Sequence, residues 1–71
     1  MNRYGVHSVT GYGEAPGSGR PPVTIWYVHD RYDCFRVVAR TGAHTGAERL
    51  ARRIARRRND EERRWEREHD A

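Results

Sequence analysis

The chain has 71 residues, 35% of them hydrophobic, with 14 Lys and Arg against 10 Asp and Glu and a formal net charge of +4. A chain of this length forms one domain with a small core, and its single cysteine excludes an internal disulfide and a cysteine-rich zinc site. No apolar run is long enough to be a membrane span or a signal peptide, so we expect a cytoplasmic protein. All 14 basic residues are arginine, a bias that genome composition explains more simply than function does.

The N-terminal segment, residues 1–22, contains five glycines and three prolines. This composition disfavours regular structure and predicts a flexible arm. Residues 4–12 include several strand-forming side chains, so a third edge strand is the alternative.

Residues 23–40 are rich in β-branched and aromatic side chains and predict a β-hairpin. With a four-residue turn at 30–33, one face would pair Val28 with Phe35, Trp26 with Val37 and Thr24 with Ala39. The opposite face would pair Tyr27 with Arg36, Ile25 with Val38 and Val23 with Arg40. A turn one residue longer would exchange these partners. In either register the second face keeps apolar residues, so we expect the N-terminal segment, a second subunit or a ligand to cover part of it.

The C-terminal segment predicts a helix from Thr45 to about His69, because residues 45–48 read as a capping box between Thr45 and Glu48. Apolar residues recur every three or four positions and form one face: Ala47, Leu50, Ala51, Ile54 and Ala55. Leu50 and Ile54 should contact Trp26, Phe35 and Val37 of the hairpin. A break near Asn59 is the alternative to one continuous helix.

The predicted fold is therefore α+β, an antiparallel hairpin, with three strands as an option, packed on one long C-terminal helix. In this interpretation residues 1–22 are the arm and residues 23–71 are a ββα module.

The predicted helix is basic first and acidic last. Six arginines and no acidic residue lie between positions 49 and 58, and six acidic residues follow between positions 60 and 70. Guanidinium groups suit bidentate phosphate contacts, so this cluster favours nucleic-acid binding, with a solvated basic surface as the alternative. The expected contact residues on the helix are Arg49, Arg52, Arg53, Arg56 and Arg57. Arg36 and Arg40 of the second hairpin strand, with Tyr27, would form a second contact surface on the opposite sheet face.

A protein-interaction module, for instance a small phage or accessory regulator, is the alternative function. It would bind a protein partner through Tyr27, Ile25, Val38 and Trp65, and we expect a homodimer in either case. We expect the protein to have no enzymatic activity and to bind no cofactor. The four histidines and Cys34 lack the spacing of a metal-ligand motif, and nothing in the sequence supplies a pocket or an orienting acid for a Cys34–His29 pair.

Two resemblances rest on the strand Ile25-Trp26-Tyr27, the strand from Phe35 to Arg40 and the helix from Thr45. The order of these elements resembles short bacterial and phage hairpin-plus-helix proteins without an assigned function. It also resembles the small sheet-plus-helix domain at the N-terminus of tyrosine recombinases, in which a three-stranded sheet enters the major groove. The second resemblance implies DNA binding.

Overall fold

The structure is a computed structural model that describes residues 2–11 and 21–69. These residues form three strands and one helix: β1 (Tyr4–Gly11), β2 (Val23–Asp30), β3 (Arg36–Gly42) and α1 (Ala47–His69). The strands make one antiparallel sheet in the order β1-β2-β3, and α1 contacts all three of them. The predicted α+β fold is confirmed, with a sheet of three strands.

Strand β1 occupies eight of the 22 residues of the predicted arm, where a third strand was the alternative. It pairs with β2 along its whole length, from Tyr4 opposite Asp30 to Gly11 opposite Val23. Because the pairing partner lies far away in the sequence, local composition alone underestimated this strand. The remainder of the predicted arm includes residues 12–20, which lie outside the described residues.

The β2–β3 register differs from the predicted one. The turn spans residues 31–35, and Asp30, Val28 and Tyr27 pair with Arg36, Ala39 and Arg40, respectively. The six predicted cross-strand pairs are therefore wrong. Cys34 and Phe35 adopt positive φ angles of 51° and 60°, which lengthens the turn, and two irregularities in β3 shift the pairing further.

The core lies where α1 crosses the sheet. Val28, Ala51 and Ala55 are buried there, and Ile54 and Trp26, two of the predicted core residues, pack against them. Ala47, Ala51 and Ala55 recur every four residues on this side of α1, and their small side chains let the helix approach the sheet closely. The other three predicted core residues are exposed instead of buried: Leu50 (38%), Val37 (47%) and Phe35 (64%).

Helix α1 begins at Ala47, two residues later than predicted. Its first backbone hydrogen bond runs from the Leu50 amide to the Gly46 carbonyl at 3.0 Å, and Gly46 has a φ of +91°. The predicted capping box does not form within the described residues, because the Glu48 carboxylate accepts hydrogen bonds from Arg52 instead. The Thr41 hydroxyl donates to the Ala47 carbonyl at 2.8 Å and fastens the helix start to β3.

The helix continues without interruption to His69, so the alternative of a break near Asn59 is wrong. Its last two turns are exposed and extend past the core. None of the helical segments among residues 2–11 and 21–69 is long and apolar enough to cross a membrane.

Candidate functional site

An open groove runs along α1 beside the first half of β1. Six arginines line it, together with Asn2, Gly5 and Val6 from the N-terminal part of the chain: Arg31, Arg49, Arg52, Arg53, Arg56 and Arg63. We call this feature the arginine groove. Five of the arginines come from α1 at spacings of three, four and seven residues, which place them along one side of a helix. Asp60 is the one acidic side chain among the described lining residues.

The arginines of the groove differ in their ion pairs. Arg52 lies 3.0 Å from the Glu48 carboxylate, and Arg63 lies 3.4 Å from the Asp60 carboxylate. Within the described residues, Arg49, Arg53 and Arg56 form no ion pair. In that part of the chain, no carboxylate occupies the donors of these three guanidinium groups.

Three of the predicted contact arginines lie outside the groove: Arg57 of the helix, and Arg36 and Arg40, which were expected on the sheet face away from the helix. Arg57 is 3.5 Å from Glu61, and Arg36 is 3.7 Å from Asp33 in the turn. Arg40 lies on the sheet face away from α1, where it pairs with Tyr27 of β2. The structure therefore brings together four of the seven predicted arginines.

Two groove arginines were missed by sequence reasoning. Arg63 follows Arg56 by seven residues and could have been found by extending the helical period beyond the six-arginine cluster. Arg31 belongs to the β2–β3 turn, and only the tertiary structure places it beside the helix. Arg58, although part of the sequence cluster, instead lies 5.6 Å from the centre of the Tyr4 ring.

A second charged cluster joins the start of the chain to the end of β2 and to α1. The Arg3 guanidinium donates to both carboxylate oxygens of Asp30 at 3.0 Å and to Glu62 at 3.1 Å. The hydrogen bond from Arg3 lowers the pKa of Asp30 and, reciprocally, raises that of Arg3. Arg3 therefore offsets the negative charge of Asp30, so this carboxylate does not repel an anionic ligand.

The sheet face away from α1, which we call the outer face, carries four rings in succession. The His7 ring stacks on Tyr27 with centroids 5.3 Å apart and lies 4.9 Å from the His29 ring, which lies 5.5 Å from Phe35. We call these four residues the ring row. The proximity of His7 and His29 follows from the β1–β2 register, so it could not be predicted from their spacing in the sequence.

The two histidines share one hydrogen bond between their Nδ1 atoms at 2.7 Å. One nitrogen must donate and the other accept, so at least one ring is neutral. Burial, and then the positive charges of His7 and Arg31, lower the pKa of His29. Gly5 makes this arrangement possible, because a Cβ at that position would lie 2.6 Å from His29 Nε2 and from a nitrogen of Arg31.

The predicted partner-binding residues do not form one surface. Tyr27 belongs to the ring row, and Ile25 lies farther along the outer face, opposite Val9. Val38 packs against the core instead of facing Ile25. Trp65 is 56% exposed near the end of α1 and stacks on His69 with centroids 4.3 Å apart.

Metal binding finds no support in the described residues, where no three His, Cys, Asp or Glu side chains are close enough to hold an ion together. Cys34 is exposed in the turn, and the His29 ring contacts His7 and Phe35. No family model, curated protein or solved structure matches the chain, so the two resemblances drawn from the sequence stay predictions.

Proposed function

We propose that this protein binds the phosphate backbone of nucleic acid in the arginine groove. The observation that supports the proposal is the row of three arginines, Arg49, Arg53 and Arg56, that have no ion pair within the described residues and lie on one side of α1. A basic surface serving only solubility would gain from acidic neighbours at helical spacing, as Arg52 and Arg57 have.

The dimensions of this row suit a phosphate backbone. Arg49 and Arg56 are seven residues apart, which corresponds to about 10 Å along a helix axis. One strand of DNA carries a phosphate about every 3.4 Å along the duplex axis, so the row spans about three phosphates. Guanidinium groups bind phosphate oxygens through paired hydrogen bonds, which gives each contact a defined geometry.

Fluorescence anisotropy with labelled duplexes of unrelated sequences tests the proposal. Three phosphate contacts should give a slope of about −3 for the logarithm of affinity against the logarithm of salt concentration. Different sequences should bind about equally, because phosphate contacts carry no sequence information. Absence of binding to both duplex and single-stranded probes at low salt would refute the proposal.

A charge-matched pair of variants separates the groove from general basicity. In the test variant Arg49, Arg53 and Arg56 are changed to Gln, and in the control Arg57, Arg64 and Arg67 are changed to Gln. Both proteins lose the same net charge, and Gln preserves helix propensity. We expect the groove variant to lose most of its affinity and the control to lose much less. Equal losses would assign binding to net charge and not to the groove.

A protein-interaction module remains the second candidate, because part of the outer face is apolar and exposed. Val9, which pairs with Ile25 across the sheet, is 55% exposed, and Val23, two residues before Ile25 on β2, is 43% exposed. Such a surface is typical of a contact with another chain, as in a small phage or accessory regulator. Affinity capture with and without nuclease distinguishes the two candidates, since partners tethered by nucleic acid disappear after nuclease treatment.

A further inference from the structure

We infer that the ligand is single-stranded nucleic acid, with phosphates in the arginine groove and a base stacked on Phe35 at the end of the ring row. This inference rests on the proposed function and names the ligand class. Its three supports are the conformation of the β2–β3 turn, the charge of the outer face and the path that connects the groove to the rings.

The turn holds Phe35 in an unfavourable conformation that exposes its ring. Cys34 and Phe35 both have positive φ angles, which side chains larger than glycine rarely adopt. Phe35 is nevertheless 64% exposed, and its ring lies 5.5 Å from that of His29 between centroids. Burial of the apolar ring therefore does little to offset the unfavourable backbone conformation. Strained residues of this kind concentrate at functional sites, and an exposed ring is the group on which a base stacks.

The charges around the rings favour an anionic strand. Two arginines lie on the outer face. Arg31 is next to His29, and Arg40 pairs with Tyr27 across the strands. The only carboxylates between residues 21 and 42 are Asp30 and Asp33. Arg3 neutralises Asp30, and Arg36 lies 3.7 Å from Asp33. Each carboxylate of this part of the sheet therefore has an arginine beside it, which reduces its repulsion of a phosphate backbone.

Arg31 connects the arginine groove with the ring row. It lines the groove, and one of its guanidinium nitrogens lies over Gly5 beside His29 Nε2. Because Gly5 has no side chain, the Arg31 guanidinium and the His29 ring can both lie over its backbone, so the two features adjoin at this point. A strand whose phosphates contact Arg53 and Arg56 can therefore continue past Arg31 and present a base to Phe35.

Stacking on an exposed ring distinguishes single strands from duplexes. In a duplex the faces of the bases are covered by neighbouring bases, whereas in a single strand they are free to stack on a side chain. Phosphate contacts in the groove serve both ligands, so only the single strand should gain from Phe35.

The experiment measures the affinity of oligothymidylate and of a duplex of equal length for two variants at Phe35. Phe35→Gly removes the ring and relieves the positive φ, so it should remain folded by circular dichroism. Phe35→Trp keeps a stacking ring at the same position. Trp65→Ala is the control, because it removes an exposed ring from the far part of α1.

We expect Phe35→Gly to weaken oligothymidylate binding by about 5- to 140-fold, the range given by the stacking of one base on an aromatic ring. Its duplex affinity should not change, and Phe35→Trp and Trp65→Ala should bind oligothymidylate as the unmodified protein does. Unchanged oligothymidylate binding by Phe35→Gly, or an equal loss for both ligands, would overturn the inference while leaving the arginine groove intact. Failure of the unmodified protein to bind either ligand would overturn the proposed function together with the inference.

Discussion

The side-chain amide of Asn59 in α1 forms two hydrogen bonds with the backbone of Tyr4 in β1. Its oxygen accepts from the Tyr4 amide at 2.8 Å, and its nitrogen donates to the Tyr4 carbonyl at 3.1 Å. In an antiparallel sheet, alternate residues of an edge strand direct both backbone groups away from the sheet. Asn59, which is only 8% exposed, therefore occupies the place of a neighbouring strand at this point.

Replacing Asn59 by Leu should destabilise the fold by about 2 to 4 kcal/mol, because it leaves the Tyr4 amide and carbonyl without partners near the core. Leu is a better helix former than Asn, so a loss of stability cannot come from helix propensity. Urea unfolding followed by circular dichroism measures the free energy. Asp60→Ala, at the exposed neighbouring position, is the control and should cost much less. An unchanged midpoint for the Asn59 variant would show that water satisfies Tyr4 equally well.

Folding stability should fall as the pH drops below about 6.5, because the pKa of His29 is lowered from that value in the folded protein. Between the folded pKa and about 6.5, the unfolded state binds more protons than the folded state. The stabilisation is therefore complete above this range and is lost on acidification. Protonation of both rings also removes the acceptor of the His7–His29 hydrogen bond. Urea unfolding across a pH series measures the effect.

Two variants assign this pH dependence to the histidine pair. His7→Phe keeps a ring against Tyr27 but removes the charge that helps to lower the pKa of His29, so stability should depend less on pH. His44→Gln removes an exposed histidine and should leave the dependence as it is. Identical profiles for His7→Phe and the unmodified protein would assign the effect to other groups.

Self-association through the apolar part of the outer face stays a prediction. Val28 is the only side chain among the described residues that is large and fully buried, so the core of one chain is small. Contact between two copies through Val9, Ile25 and Val23 would bury additional apolar surface. Sedimentation over a concentration series should show a dimer that dissociates on dilution.

Substitution of Val9 by Arg should shift this equilibrium towards the monomer. The matched control is Ser8→Arg, since the neighbouring side chain leaves the strand on the opposite side. A protein that stays monomeric at high micromolar concentration would contradict the prediction.

Much of the architecture could be predicted because its signals are local. The helical spacing of Ala47, Ala51 and Ala55 indicates which side of α1 meets the sheet. The β-branched and aromatic residues of 23–30 indicate β2, and the arginines between positions 49 and 58 indicate a basic helix. Each of these signals comes from residues that are close together in the sequence. Over such a distance, the geometry of a helix or strand determines which side chains lie on the same face.

The parts that were wrong or missed depend on which distant segments meet. Pairing with β2 makes a strand of the glycine-containing segment 4–11, and the positive φ angles of Cys34 and Phe35 set a turn length that residue type does not specify. A register shift in a sheet changes every cross-strand neighbour at once, so the predicted partners of Ile25 and Tyr27 were lost together.

The sequence by itself determined the element types, the apolar side of α1 and the density of arginine, because these follow from spacing and composition along the chain. Only the tertiary structure decided that Arg31 joins the groove, that His7 meets His29 and that Asn59 binds the backbone of Tyr4. Such contacts join residues far apart in sequence, and they exist because strand register and helix position bring the two partners within hydrogen-bonding or van der Waals distance.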